Sequence, residues 1–138
     1  MNPLFSLDPR LQHDSIFIAH LTACQLRLMD DARWLWLILI PEIEGATELH
    51  LLSPAMRNNV MNDLYQSSHL LQQLRPQSKI NIGALGNIVR QLHIHVIARL
   101  VGDANWPGPV WGYGERVPLP ELEQQNRIEA IRHALRKQ

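Results

Sequence analysis

The 138-residue sequence predicts an α+β domain: an antiparallel sheet of about five strands with one long central helix and a C-terminal helix packed on it. Three observations predict it. Short strand-like segments cluster at the start of the chain, one uninterrupted helical pattern follows, and a second pair of alternating segments comes after that helix.

The first strands are "SIFIAHL" (15–21), "CQLRLMD" (24–30) and "RWLWLILIP" (33–41), with "DDA" short enough to close a hairpin between the last two. The stretch 34–40 is apolar on both faces and too short for a typical core helix. It reads as a central strand covered by a helix on one side and by a partner subunit on the other. Ser53 and Pro54 then supply a cap and a first helical residue, and Met56, Val60, Leu64, His69 or Leu70, Leu71 and Leu74 recur near a helical period until Pro76. "KINIGAL" (79–85) and "IVRQLHIHVIARL" (88–100) alternate as strands about a turn at Gly86-Asn87, and they predict a hairpin. Beyond Gly102, "DANWPGPVWGYGERVPLP" is a proline-, glycine- and tryptophan-rich loop. Helical spacing resumes over 120–137 through Leu122, Ile128, Ile131 and Leu135, with acids early and bases late.

The chain reads as one domain, 1–138, with its core about 15–108 and a loop plus C-terminal helix over 109–138. Thirteen basic and thirteen acidic side chains cancel, so no global positive field gathers an extended nucleic acid or an anionic membrane. A small nucleotide stays open as a partner. Cys24, the only cysteine, suits a reducing compartment. The start "MNPLFSLDPRL" lacks a signal-peptide pattern and 34–40 is too short to span a bilayer, so the expected location is the cytoplasm.

On a strand, Gln91, His93 and His95 share one face, while Leu92, Ile94 and Val96 share the other, plainly apolar one. Asn87 belongs to the histidine face, and Asn81 comes near it from the neighbouring strand. Three readings of the pair are open. Both histidines can be hydrogen-bonded sheet residues and nothing more. They can grip zinc, but a catalytic zinc wants a third protein ligand, and His13, His20, His50, His69 and His133 show no ligand spacing. Or one imidazole can attack phosphorus, its other nitrogen fixed on a backbone carbonyl, while the second imidazole and nearby amides hold the phosphoryl oxygens.

"QLHIHVIARL" followed by "NWPG" resembles the histidine triad (HIT) superfamily of nucleotide hydrolases and transferases, whose signature is His-φ-His-φ-His-φ-φ, φ being apolar. The order of elements is similar too, over roughly residues 15–108, and implies a HIT-like fold. Carried over, the resemblance makes His93 the nucleophile that attacks the α-phosphate and His95 a ligand of the phosphate oxygens. Asn81 and Asn87 become phosphate-positioning amides and Asp31 a ligand of the ribose hydroxyls, while Phe17 and Leu28 line the base pocket or belong to the core. Gln91 stands where the family has its first histidine, and Trp36 stands near a point where several branches place another. Glutamine keeps hydrogen bonds but cannot exchange a proton near neutral pH, which weakens the proton relay.

"ALGN", "QLHIH" and "WPGPVWG" are most similar to a bacterial branch described as like diadenosine tetraphosphate hydrolases. The implied activity is hydrolysis or transfer at the α-phosphate of a nucleotide or dinucleoside polyphosphate, by a homodimer, with no metal required and magnesium arriving only with a polyphosphate substrate. The alternative is a nucleotide-binding or regulatory module that lost efficient turnover with Gln91. The aromatic loop at Trp106, Pro107, Trp111 and Tyr113 either caps the core or reaches the site or the partner. Cys24 reads as a small buried side chain without chemistry.

Overall fold

The computed structural model describes residues 4–138, so the first three residues of the predicted domain lie outside the described residues. The elements in chain order are α1 (Pro9–Asp14), β1 (Ser15–His20), β2 (Cys24–Met29), β3 (Leu35–Pro41), a 3-10 turn (Leu49–Leu51), α2 (Pro54–Leu74), β4 (Lys79–Gly83), β5 (Ile94–Arg99) and α3 (Glu121–Arg136). The five strands form one antiparallel sheet in the order β1-β2-β3-β5-β4. This is the predicted α+β architecture, with α1 and the 3-10 turn added.

Alternation along the central strands builds two cores. Leu35, Leu37 and Leu39 of β3 join Leu26, Leu28, Ile94 and Val96 beneath α2 and α3, which contribute Val60, Leu70, Leu71 and Ile131. Trp34, Trp36, Ile38 and Ile40 face the other way and pack with Leu11, Ile97 and Val110. The second face of β3 is therefore covered by α1, the N-terminal segment and the loop after β5. The cover expected from a partner subunit comes from the chain itself. Phe17 is exposed on β1 and Leu28 is fully buried in the first core, and neither is among the residues lining the cavity described below.

Helix α2 starts as its sequence dictates, with the Ser53 hydroxyl accepting from the Met56 N–H at 3.2 Å and Pro54 in its first turn. His69 stacks on Tyr65 instead of joining the core. In α3, Ile131 is buried, but Leu122 at the first turn is exposed. The loop after β5 is tied down by Arg99, whose buried guanidinium grips both oxygens of Asp103 at 2.8 and 2.7 Å and donates to the Gly108 carbonyl at 2.7 Å. Burial raises the Asp103 carboxyl, yet the bonds from Arg99 and the Leu100 N–H outweigh it and hold the group below its usual range.

The last two strands are shorter than predicted. β4 ends at Gly83, opposite His95, and β5 begins only at Ile94, opposite Leu39. Residues 84–93 form a loop. β3 stops at Pro41, which has no N–H to extend the ladder, and the Leu92 N–H bonds instead to the Ala46 carbonyl at 2.9 Å.

A buried carboxylate joins the sheet to α2. Asp63 accepts from the N–H groups of Thr22, Ala23 and Cys24 at 3.0, 2.8 and 2.8 Å and so closes the β1–β2 turn. Asp63→Ala leaves three donors without an acceptor and is expected to cost about 3 kcal/mol or more. A urea titration of the variant checks this through a lowered midpoint at unchanged slope.

Candidate active site

The second face of the sheet carries an open cavity of about 550 Å3, a size suited to a small-molecule ligand. Its floor is β3 and β5, through Trp36, Ile38 and His95, with His93 just before β5. Leu11 of α1 and Met29 of β2 form one wall, the loop Gly86–Val89 forms another, and Trp111 closes a third side. Trp111 can stand there because Gly83 lacks a side chain: a Cβ at that position would meet the indole Cη2 at 2.7 Å.

The two imidazoles are neighbours, with ring centroids 4.9 Å apart and planes at 72°. Their tautomers follow from their partners. His93 Nδ1 lies 2.7 Å from the Gln91 carbonyl, which can only accept, so Nδ1 carries the proton and Nε2 keeps its lone pair. His95 Nδ1 lies 3.0 Å from the Trp36 indole nitrogen, which can only donate, so Nδ1 accepts and Nε2 bears the hydrogen of the neutral ring. Burial, helped by the adjacent His93, pushes the His95 pKa down to about 3. One ring thus presents a nucleophilic nitrogen and the other a neutral N–H donor.

The remaining residues singled out in the sequence are not all gathered here. Asn87 lines the cavity on the overhanging loop. Asn81 sits on β4 opposite Ile97, on the histidine face but not among the lining residues. Gln91 lies in the loop 84–93 just before β5, and its side chain meets the N-terminal segment that packs on the histidine face of the sheet. Its carboxamide accepts from the Asp8 N–H at 2.9 Å and donates to the Ser6 carbonyl at 2.9 Å. Asp31 lies in an adjoining recess of about 200 Å3, both oxygens engaged by the Arg33 guanidinium at 3.0 and 2.8 Å. Trp36, which stood out as a departure, is the donor that sets the His95 tautomer. Sequence reasoning missed Arg10 and Asp14, which line the cavity from α1. The one signal for that helix is Asp8-Pro9, a capping residue followed by a first-turn proline. Among the described residues no group of three His, Cys, Asp or Glu side chains is arranged to hold a metal ion.

A family model described as "HIT domain" matches residues 10–101. Among solved structures, a histidine triad protein of Sinorhizobium meliloti 1021 is 48% identical, with a TM-score of 0.91 over 94% of this chain and 96% of that one. One of Bradyrhizobium japonicum is 38% identical, with a TM-score of 0.93 over 96% and 99% of the two chains. One of Marinobacter aquaeolei VT8 is 34% identical, with a TM-score of 0.92 over 96% and 97%. Among curated proteins no match is found.

A ring with its pKa near 3 stays neutral across the working range. The His95 ring signals are expected to hold constant from pH 8 to pH 5 in a nitrogen–proton NMR titration, with the Nε2–H tautomer throughout. An unfolded chain binds a proton at this residue near pH 6.5, whereas the folded one does so only near 3. Its contribution to stability is therefore complete above about pH 6.5 and is lost as the pH falls toward 3. Trp36→Phe removes the indole donor; it is expected to cost about 1 kcal/mol in urea unfolding and to release the tautomer in the same NMR spectrum.

Proposed function

The chain belongs to the HIT domain family, whose members are generally nucleotide hydrolases or transferases, and on that premise we propose a hydrolase or transferase acting at the α-phosphate of a nucleotide or dinucleoside polyphosphate. The observation that carries the reading is the His93 Nδ1–H bond to the Gln91 carbonyl, which leaves the lone pair of Nε2 available at the wall of a nucleotide-sized cavity. In the proposed reaction Nε2 attacks phosphorus, a nitrogen–phosphorus bond forms and the bond to the leaving group breaks. The positive charge left on the ring is met by the Gln91 carbonyl through Nδ1–H. Water then attacks the same phosphorus, a phosphorus–oxygen bond forms as the nitrogen–phosphorus bond breaks with its electron pair returning to Nε2, the water's proton passes to solvent, and the nucleotide is released. His95 supports both steps by donating from Nε2–H to a phosphoryl oxygen, and Asn87 is placed to donate from the loop.

The finer reading is the bacterial branch similar to diadenosine tetraphosphate hydrolases. Nothing on the cavity wall is a ready general acid, since His95 is held neutral, so the chemistry favours a leaving group that departs as a stable anion, as a nucleotide phosphate does. Magnesium would enter with such a substrate as its counterion. A homodimer formed along β4 fits the free edge of the sheet, where Ile82 is half exposed. The buried, inert thiol of Cys24 suits the cytoplasm, where nucleotides of this kind occur. Burial, then the nearby Asp63 carboxylate, pushes that thiol far above its ordinary range.

Incubation with a panel of dinucleoside polyphosphates tests the reading. Product formation is expected, and His93→Ala is expected to lower kcat by several orders of magnitude while nucleotide affinity stays within a few-fold. Acid-quenched wild-type enzyme is expected to carry nucleotide on His93 by mass spectrometry. Tight binding without product at high enzyme concentration would instead identify a binding module, and activity abolished by chelators in the absence of added magnesium would identify a bound catalytic metal.

A further inference from the structure

Helix α1 is six residues long and could not hold itself together alone. It is fixed at its start and at its middle. At its start Asp8 Oδ1 accepts from the Arg10 N–H at 2.8 Å, and the Gln91 carboxamide bridges the Asp8 N–H and the Ser6 carbonyl. Midway, Leu11 is buried in the second core beside Trp36 and Ile38. This anchorage places Arg10 and Asp14, one helical turn apart, on the cavity wall.

The charges facing the cavity are few. Arg10 and Asp14 are its fixed charges; the other ionisable groups are the two imidazoles, of which His95 is neutral. The Asp14 carboxylate is already bonded to His13 at 2.9 Å. The Arg10 guanidinium has no hydrogen bond or ion pair among the described residues. The helix also has a direction along the cavity. Asp8, two residues before Arg10, touches Gln91, two residues before His93, whereas Asp14 at the far end also lines the recess that holds Asp31. Arg10 therefore stands toward the nucleophile's end and Asp14 away from it.

We infer that Arg10 is a specificity-determining residue that binds phosphate oxygens of the leaving group, so that the site selects nucleotides with a polyphosphate chain, and that Gln91 is the positioning residue that holds it there. An exposed arginine is usually only a solvated charge. Arg10 differs because its helix is clamped against the cavity before any ligand arrives, which lowers the cost of forming a forked, charge-assisted bond to phosphate. The glutamine in the triad's first place thereby has a task outside proton transfer. The inference rests on the nucleotide reading above.

Equilibrium binding of a nucleoside triphosphate and the matching monophosphate tests it without requiring turnover. Arg10→Gln is expected to weaken the triphosphate about tenfold or more and the monophosphate under about threefold, with Arg10→Lys restoring part of the loss. Gln91→Ala is expected to narrow the same triphosphate-to-monophosphate preference with β-sheet circular dichroism unchanged, a ratio that a merely structural role would not move. Wild-type binding of both nucleotides with no change, or an equal change, in Arg10→Gln would overturn the inference and leave the nucleotide reading intact. An unchanged preference in Gln91→Ala would overturn the positioning role alone. Failure of the wild-type protein to bind either nucleotide would overturn both the reading and the inference.

Discussion

The site depends on the register in which β5 lies against β3. His95 is paired with Ile38 and Ile97 with Trp36, so the histidine face of β5 and the tryptophan face of β3 are the same face of the sheet. The Trp36 indole thus reaches His95 Nδ1, and one hydrogen bond between two core side chains decides which ring nitrogen carries the hydrogen. A slip of one residue would send both imidazoles into the leucine core beneath α2. The leucines at 35, 37 and 39, all buried against that helix, make the slip costly, so core packing on one face fixes the chemistry on the other.

The same logic explains why β3 is apolar on both faces without needing a second chain. Its far face meets Leu11 and Val110, which come from segments before and after the sheet proper. Those segments have to be held, and polar groups hold them. Arg99 is buried yet fully engaged by Asp103 and the carbonyls of Gly108 and Ala104, and it lies between the rings of Trp34 and Trp106. Such an arrangement would be costly if any partner were missing, and it fixes the loop that carries Trp111 to the edge of His95.

Much of this is legible in the sequence wherever a period repeats long enough. β1, β2 and β3, the long helix from Pro54 and the helix from Glu121 all stand close to where alternation or helical spacing puts them. His93 and His95 were legible as a pair because an extended chain returns every second side chain to the same side, and although His93 stands just before β5 the two rings do meet. The contacts of Gln91 with Ser6 and Asp8 were not legible, because it falls in a loop where the alternation of 88–93 has no neighbouring strand to make it a strand in space. Pro41 ends one possible partner and Gly83 the other. Asp31 stands in the adjoining recess with both oxygens on Arg33, two residues on, a contact the sequence did not single out. Arg10 and Asp14 were invisible because six residues give no period, and their place on the wall is set by tertiary bonds from residue 91.

These placements bear on the part that the glutamine at position 91 plays under the proposed reaction. A proton-relay residue at position 91 would have to face the cavity, whereas here the side chain turns to the N-terminal segment and only the backbone carbonyl serves His93. With His95 kept neutral by burial, the cavity offers an unprotonated imidazole nitrogen, a hydrogen-bond donor and a nearby cation. That set matches a phosphoanhydride better than a phosphoramidate. An anhydride releases an oxygen that is stable as an anion, while an amine leaving group must be protonated as it departs. Under the proposed reaction the glutamine serves a preorganised wall in place of acid catalysis, and stabilising developing negative charge matters more there than neutralising it.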